Sequence, residues 1–455
     1  MERKVAWNGY SAEDLEKVCA LGERYKDFLG KGKTERECVK EAVKLAKANG
    51  YEDLCDCIKA EKPLKAGQKL YMTNMDKDIM LFVVGSEKLE KGLNIIGAHI
   101  DSPRLDVKQN PLYESDGMAY LDTHYYGGIK SFQWVTLPLA LHGVVVKKDG
   151  AVIELSVGED ENDPVFCISD ILPHLGQDQA KKSVSDAIEG EQLDIIVGGR
   201  PLEGEEKDAV KALALKLLKD KYDFEEEDFL SAELEVVPAG KARDTGFDRS
   251  FISGYGHDDR VCAYAELAGI FDAKTPKKTA VCIFADKEEI GSEGVSGMLS
   301  EAFEWFMGDL CKGQGVDLRD CFAHSFCVSA DVTAAYDPNF ADVYDKKNAA
   351  FVNYGVGLCK YTGSGGKSGA SDASAEVVGK LRKLLNDNGV FWQMAELGKT
   401  DAGGGGTVAK YMAARNIDTI DAGVPVLSMH APRETVAKLD CYMTYKMMKV
   451  VFEQA

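Results

Sequence analysis

Five short segments of this chain each offer side chains of the kind that bind metals. They are His99-Ile100-Asp101 in GAHIDSPR, Asp258 in GHDDR, Glu288-Glu289 in ADKEEIGSEG, Asp331 in VSADVTAAY and His430 in LSMHAPRE. Two imidazoles and three carboxylates, with one further glutamate beside them, suit a pair of borderline-hard divalent cations holding a nucleophilic water. Adjacent glutamates after an apolar run repel each other and lose hydration. A division of labour removes that conflict: Glu289 binds a cation, and Glu288 accepts the proton of the attacking water. His99 would ligate through one ring nitrogen. Asp101, two residues on and on the same side of an extended segment, can hold the other N–H. Asp258 reads either as a carboxylate bridging two metals or as a helix cap, and Asp331 as a third carboxylate ligand or a turn cap. His430 supplies the second imidazole.

These segments need a scaffold that brings them to one place. LNIIGA precedes His99, TAVCIFA precedes Asp286 to Glu289, FCVSA precedes Asp331, and VPVLSM precedes His430. In open α/β sheets, ligands gather beyond the carboxyl ends of the strands. Four of the five segments sit where that rule puts a site. From about residue 241 strand-like and helical runs alternate, which predicts a largely parallel sheet with helices on both faces. The final helix is expected from Pro432, and another near 294–307.

Residues 11–60 carry apolar positions at helical spacing, including Leu15, Val18, Cys19, Leu21 and Tyr25. Between 119 and 160 the pattern becomes short alternating runs (FQWVTLPLAL, GVVVKKDG, AVIELSVG), with a hairpin signal at Asp149-Gly150. The expected architecture is an α/β/α sandwich catalytic domain with a mostly parallel sheet. It is discontinuous, 1–107 plus 241–455, and a β-rich insertion at 108–240 interrupts it.

The chain has 455 residues, 45% hydrophobic and 29% charged, with a formal net charge of −20. That charge argues against nucleic acid and against anionic membrane surfaces. The longest apolar runs, such as 134–146, fall short of the about 20 residues a membrane span needs. The N-terminal stretch reads as an amphipathic helix with no apolar signal core. Twelve scattered cysteines without a paired CxxC fit reduced thiols and a cytoplasmic protein, with Cys55/Cys57 as a metal clip the lesser alternative. His142 and His324 lie in apolar strand runs and are expected in the core or an interface; His174, in ISDILPHL, is ambiguous. GSGGKSG (363–369) fails as a phosphate loop because the first glycine would fall on Tyr361. GGGG (403–406), before a helix, is either a backbone cradle for an anion or a flexible loop.

GAHIDSPRLDVK, the HDD after the insertion, DKEEIGSEG, SADVTAAYDPN and LSMHAPRE resemble the motif series of the aspartyl aminopeptidase family, over nearly the whole chain. The resemblance implies a co-catalytic zinc exopeptidase with two divalent ions per subunit, Co2+ or Mn2+ being alternatives to Zn2+. It implies an insertion used for dimer formation, and dimers assembled into tetrahedral dodecamers with enclosed sites. Carried over by position, His99 and Asp331 bind one metal, Glu289 and His430 the other, and Asp258 bridges them. Glu288 is the general base and Asp101 orients His99. His174 would reach a neighbouring subunit's site to steady the oxyanion.

Two departures stand out. Asp259 replaces the usual Asn after the bridging aspartate, and the loop holding Lys360, GSGGKSG and Lys367 differs from familiar members. The second leaves preference for N-terminal Asp or Glu open. The expected function is a cytoplasmic di-metal aminopeptidase acting on peptides. An amidohydrolase for N-acyl amino acids or small amides, and a catalytically idle assembly subunit, are the rivals.

Overall fold

The computed structural model describes residues 5–60 and 64–455. The chain separates into two compact units. One ends its first stretch at Asp101 and resumes over Ala242–Met429 and Glu434–Ala455; the other comprises Ser102–Lys241 with His430–Arg433. The first break falls before the expected 107/108 because the strand Arg104–Ser115 already belongs to the insertion's sheet.

The larger unit is built on a nine-stranded sheet. At its centre Thr279–Ala285, Leu93–His99, Phe326–Ser329 and Asp418–Gly423 run side by side, all parallel. Antiparallel neighbours flank them: Asp78–Val83 on one side and Val356–Cys359 on the other. The two longest central strands, TAVCIFA and LNIIGAH, are buried at every position. Such uninterrupted apolar runs are what a sheet covered on both faces requires.

Alternate residues feed two separate cores. Ile96, Cys282, Phe284 and Val328 pack with the helices Ala12–Lys31, Glu35–Ala48, His257–Asp272, Ala375–Asp387 and Lys438–Gln454. Ile95, Val281, Ile283 and Cys327 pack on the opposite face with Ala302–Lys312, Leu318–Ala323 and Ala409–Ala414. The unit is an α/β/α sandwich.

Local signals set the helix starts. Ser11 and Asp14 form a reciprocal capping box, as do Thr34 and Glu37. On the first helix Val18, Leu21, Tyr25, Phe28 and Leu29 face inward, whereas Leu15 and Cys19 are exposed. The expected apolar stripe was therefore rotated toward solvent at its N-terminal end.

Two further expectations change. The helix expected near 294–307 lies at Ala302–Lys312, because Gly291, Gly294 and a turn-rich stretch delay it. The last helix starts at Lys438 and not at Pro432, because Glu434–Ala437 is a strand. That strand belongs to a five-stranded sheet, with Arg243–Thr245, Phe251–Gly254, Pro425–Leu427 and Thr333–Ala334, whose members of two to four residues carry too little periodicity to be read.

The smaller unit holds a six-stranded sheet in which every pair is antiparallel. Leu139–Val146 and Val152–Val157 form the hairpin expected at Asp149-Gly150, where Gly150 has φ 85. The apolar run before Leu139 is not strand: Ser131–Gln133 is a single 3-10 turn.

Asp244, on Arg243–Thr245, ties the larger unit together. Its carboxylate accepts from Lys26 at 2.6 Å, Lys438 at 2.9 Å and Arg249 at 2.8 Å. Burial opposes its charge, but the three cations hold its pKa well below the ordinary carboxylate range. Lys438 is only 4% exposed, and its other carboxylate, the exposed Glu23, lies 3.8 Å away, so Asp244→Ala leaves a buried ammonium with one distant partner and should destabilise the fold by about 3 kcal/mol, the low end for a broken buried pair. Because the folded pKa is depressed, this contribution is complete above the unfolded value of about 4 and fades as pH falls below it. Urea unfolding of both proteins at pH 7 and pH 3 checks this: the gap should narrow at pH 3.

Candidate active site

His99 is the last residue of Leu93–His99 and is 1% exposed. Its Nδ1 lies 3.0 Å from the Asp101 carbonyl and 3.2 Å from Asp101 Oδ1. With the proton on Nδ1, the lone pair sits on Nε2, the nitrogen that could bind a metal. Nε2 is 3.2 Å from Asp258 Oδ1 and 3.9 Å from Glu288 Oε2.

Asp101, fully buried, does more than hold a ring. Its Oδ1 accepts the backbone N–H of Glu288 and its Oδ2 that of Glu289, each at 3.1 Å. One carboxylate thus joins the end of a central strand to the Glu288–Ile290 turn. Lys287 enters that turn at φ 65, a left-handed conformation that costs a side-chain-bearing residue about 1–2 kcal/mol. Backbone strain of this kind collects at working sites.

Asp258 lies in the first turn of His257–Asp272, where it and Asp259 leave helical geometry, and the peptide between them is cis. Arg260, completely buried, donates from Nε to the Ile100 carbonyl at 3.0 Å and from its guanidinium to the Lys33 carbonyl at 2.9 Å. This arginine fastens the helix start to the segment after His99. Asp331 follows Phe326–Ser329, and Gly423 of the adjacent strand passes so close that a Cβ there would sit 1.9 Å from the Asp331 carbonyl oxygen.

Donor atoms of His99, Asp258 and Asp331 all fall within 4.8 Å of one another, and so do those of His99, Glu288 and Glu289. Burial opposes charge on His99, yet Asp101, Asp258 and Glu288 hold its pKa well above the ordinary value. Burial, Asp259 and Asp258 drive Asp331 well above the carboxylate range, and burial with Asp258 does the same to Asp259. So many acids around one imidazole need protons or cations to offset them, and imidazole with carboxylate is a donor set that fits zinc.

His430 groups with the smaller unit, has φ 63, and places Nδ1 2.9 Å from the Gly128 carbonyl. His174 is exposed on the insertion. His142 is buried beside Glu159, at 3.3 Å. His324, expected in a strand run as a core or interface residue, lies outside the strands and is exposed at the end of Leu318–Ala323, with Nδ1 2.9 Å from the Asp320 carbonyl.

The two glycine-rich stretches meet: Gly363 and Gly405 exchange backbone hydrogen bonds, and Gly404 packs on Ser364. Lys360 and Lys367 both pair with Asp372, at 2.6 and 3.3 Å, and Lys367 lies over the Tyr361 ring. All twelve cysteines are free. Sequence reading overlooked Arg260 and Glu434, whose Oε2 accepts the Asp258 backbone N–H at 3.0 Å. An Arg two residues past a candidate ligand and a Glu four past His430 were the available signals.

The family model for aminopeptidase I zinc metalloproteases (M18) matches residues 28–452. A probable M18 family aminopeptidase 1 of Clostridium acetobutylicum is 52% identical over 448 residues, covering 97% of this chain and 96% of that protein. The crystal structure of an M18 family aminopeptidase from Thermotoga maritima matches over 100% of both chains, with 43% identity and a TM-score of 0.96. At 21% identity, the fold is shared with a Saccharomyces cerevisiae structure described as an mApe1 dodecamer (TM-score 0.77, covering 96% of this chain and 97% of that one). With a family model spanning nearly its whole length and a relative this similar, the chain belongs to the M18 family and is a zinc metalloaminopeptidase.

Proposed function

We propose that this enzyme removes N-terminal residues from peptides at a centre holding two zinc ions. The observation that carries the reading is the convergence of His99, Asp258 and Asp331, with Glu288 and Glu289 beside the same imidazole. His99 and Asp331 would hold one ion, Glu289 and His430 the other, with Asp258 shared between them. Zinc bound there supplies Lewis acidity and a water acidified toward neutrality.

The protein's own groups do the rest. Asp101 keeps the His99 ring in the tautomer that presents Nε2, and fixes the main chain of both glutamates. Glu288 takes the proton of the attacking water as its oxygen bonds to the scissile carbonyl carbon, then delivers that proton to the departing amine.

We further propose a homo-oligomer of dimers assembled as a tetrahedral dodecamer, in which the exposed His174 serves a neighbouring copy. The dodecameric fold relative supports this. We also propose a cytoplasmic location, which the twelve free thiols support. Lys360 and Lys367 share the one carboxylate of Asp372, so this trio keeps one net positive charge, and comparison of Asp-, Glu- and Leu-aminoacyl substrates tests whether it selects acidic N-terminal residues.

The test is metal analysis with a substrate panel on one preparation. Two zinc ions per chain, cleavage of aminoacyl substrates and inertness of their N-acetylated forms are expected. Full activity at one ion per chain, or equal turnover of acetylated substrates, would overturn the reading.

A further inference from the structure

Glu434 opens the strand Glu434–Ala437, is 1% exposed, and stands four residues beyond His430. Its carboxylate accepts the backbone N–H of Asp258. That N–H lies in the first turn of a helix, where no intrahelical acceptor exists. It also lies where Asp258 and Asp259 depart from helical geometry, with Asp258 at φ −83 and ψ 105. A local cap does not serve it: Gly256, which precedes the helix, has no side chain and makes no capping bond.

The residue on the other side of this N–H is fixed as well. His257, completely buried, meets the Tyr25 hydroxyl through Nδ1 at 2.6 Å. Tyr25 comes from the first helix and Glu434 from the five-stranded sheet, so two distant elements converge on one peptide. A buried carboxylate set on the Asp258 main chain adds negative charge next to an already acidic site.

We propose that Glu434 is a positioning residue of the metal centre, whose carboxylate oxygen fixes the main chain of Asp258 so that its side chain meets the ions in one orientation. This rests on the two-metal reading of Asp258. Groups that orient a ligand typically change metal affinity 10–100-fold when removed.

The experiment measures zinc affinity by competition with a chromophoric chelator, and the absorption spectrum of the Co2+-substituted enzyme. It compares the wild type with Glu434→Ala, Glu434→Gln and Glu434→Asp. Glu434→Ala should bind zinc roughly 10–100-fold more weakly and alter the Co2+ spectrum. Glu434→Gln, which keeps an oxygen at the same reach, should recover most of the affinity and the native spectrum. Glu434→Asp keeps the charge but withdraws the acceptor by one methylene, and should resemble the alanine variant; it carries the test if the alanine variant does not fold.

A lower melting temperature with unchanged zinc affinity and Co2+ spectrum would reduce Glu434 to a structural role and overturn the proposal. Equal losses in the glutamine and alanine variants would overturn it too. If the wild type binds a single ion, the two-metal reading fails on its own, while the ratio of variant to wild-type affinity still decides the role of Glu434.

Discussion

Glu288→Gln should keep its full zinc content and lose roughly 10²–10⁴-fold in kcat, the range that general-base catalysis supplies. Glutamine matches glutamate in size and can still accept a hydrogen bond, but it cannot take a proton from water. The Glu288–Ile290 turn is anchored by backbone N–H groups donating to Asp101, and that anchoring survives the change. Donor atoms of both glutamates lie within 4.8 Å of His99, and those of Glu289 also lie within 4.8 Å of Asp258. The roles do separate in the variants. Glu289→Gln should weaken zinc binding, because a neutral amide is a poorer ligand than a carboxylate, whereas Glu288→Gln should not. Steady-state kinetics with metal analysis of both variants resolves the question; near-normal kcat in Glu288→Gln removes it from the base role.

Much of this site was legible because two simple rules act on separate parts of the chain. Unbroken apolar runs mark strands covered on both faces, and open sheets bind at strand ends, so His99, the glutamate pair and Asp331 could be placed before their neighbours were known. The structure sets each of these after such a strand. Less legible were contacts made by or to the main chain. Nothing in HIDSPR reveals that both Asp101 oxygens receive N–H groups from residues almost two hundred positions away. Glu434 lay inside a stretch read as helix, because a four-residue strand shows no usable period. The closeness of Gly423 to the Asp331 carbonyl is likewise a tertiary fact, without any local signature.

Those hidden contacts tie Asp101 to His99, Glu288 and Glu289 at once and set the second large effect. Asp101→Asn keeps one acceptor oxygen but turns an NH2 group toward a backbone N–H, so either Glu288 or Glu289 loses its anchor. It also weakens the group that faces His99 Nδ1 at 3.2 Å. A buried N–H left without a partner costs about 1–3 kcal/mol, and the turn can relieve that only by moving. Displacing a reacting group by an ångström can cost roughly 10²-fold in rate, and loosening a ligand's partner costs a further 10–100-fold in zinc affinity. Asp101→Asn should therefore show both a lower kcat at saturating zinc and a weaker zinc affinity, a pairing that Glu288→Gln does not share. Titrating zinc into apo-enzyme while following activity separates the two losses. If saturating zinc restores full turnover, Asp101 acts on the ligand alone; if turnover stays low, it also holds the base.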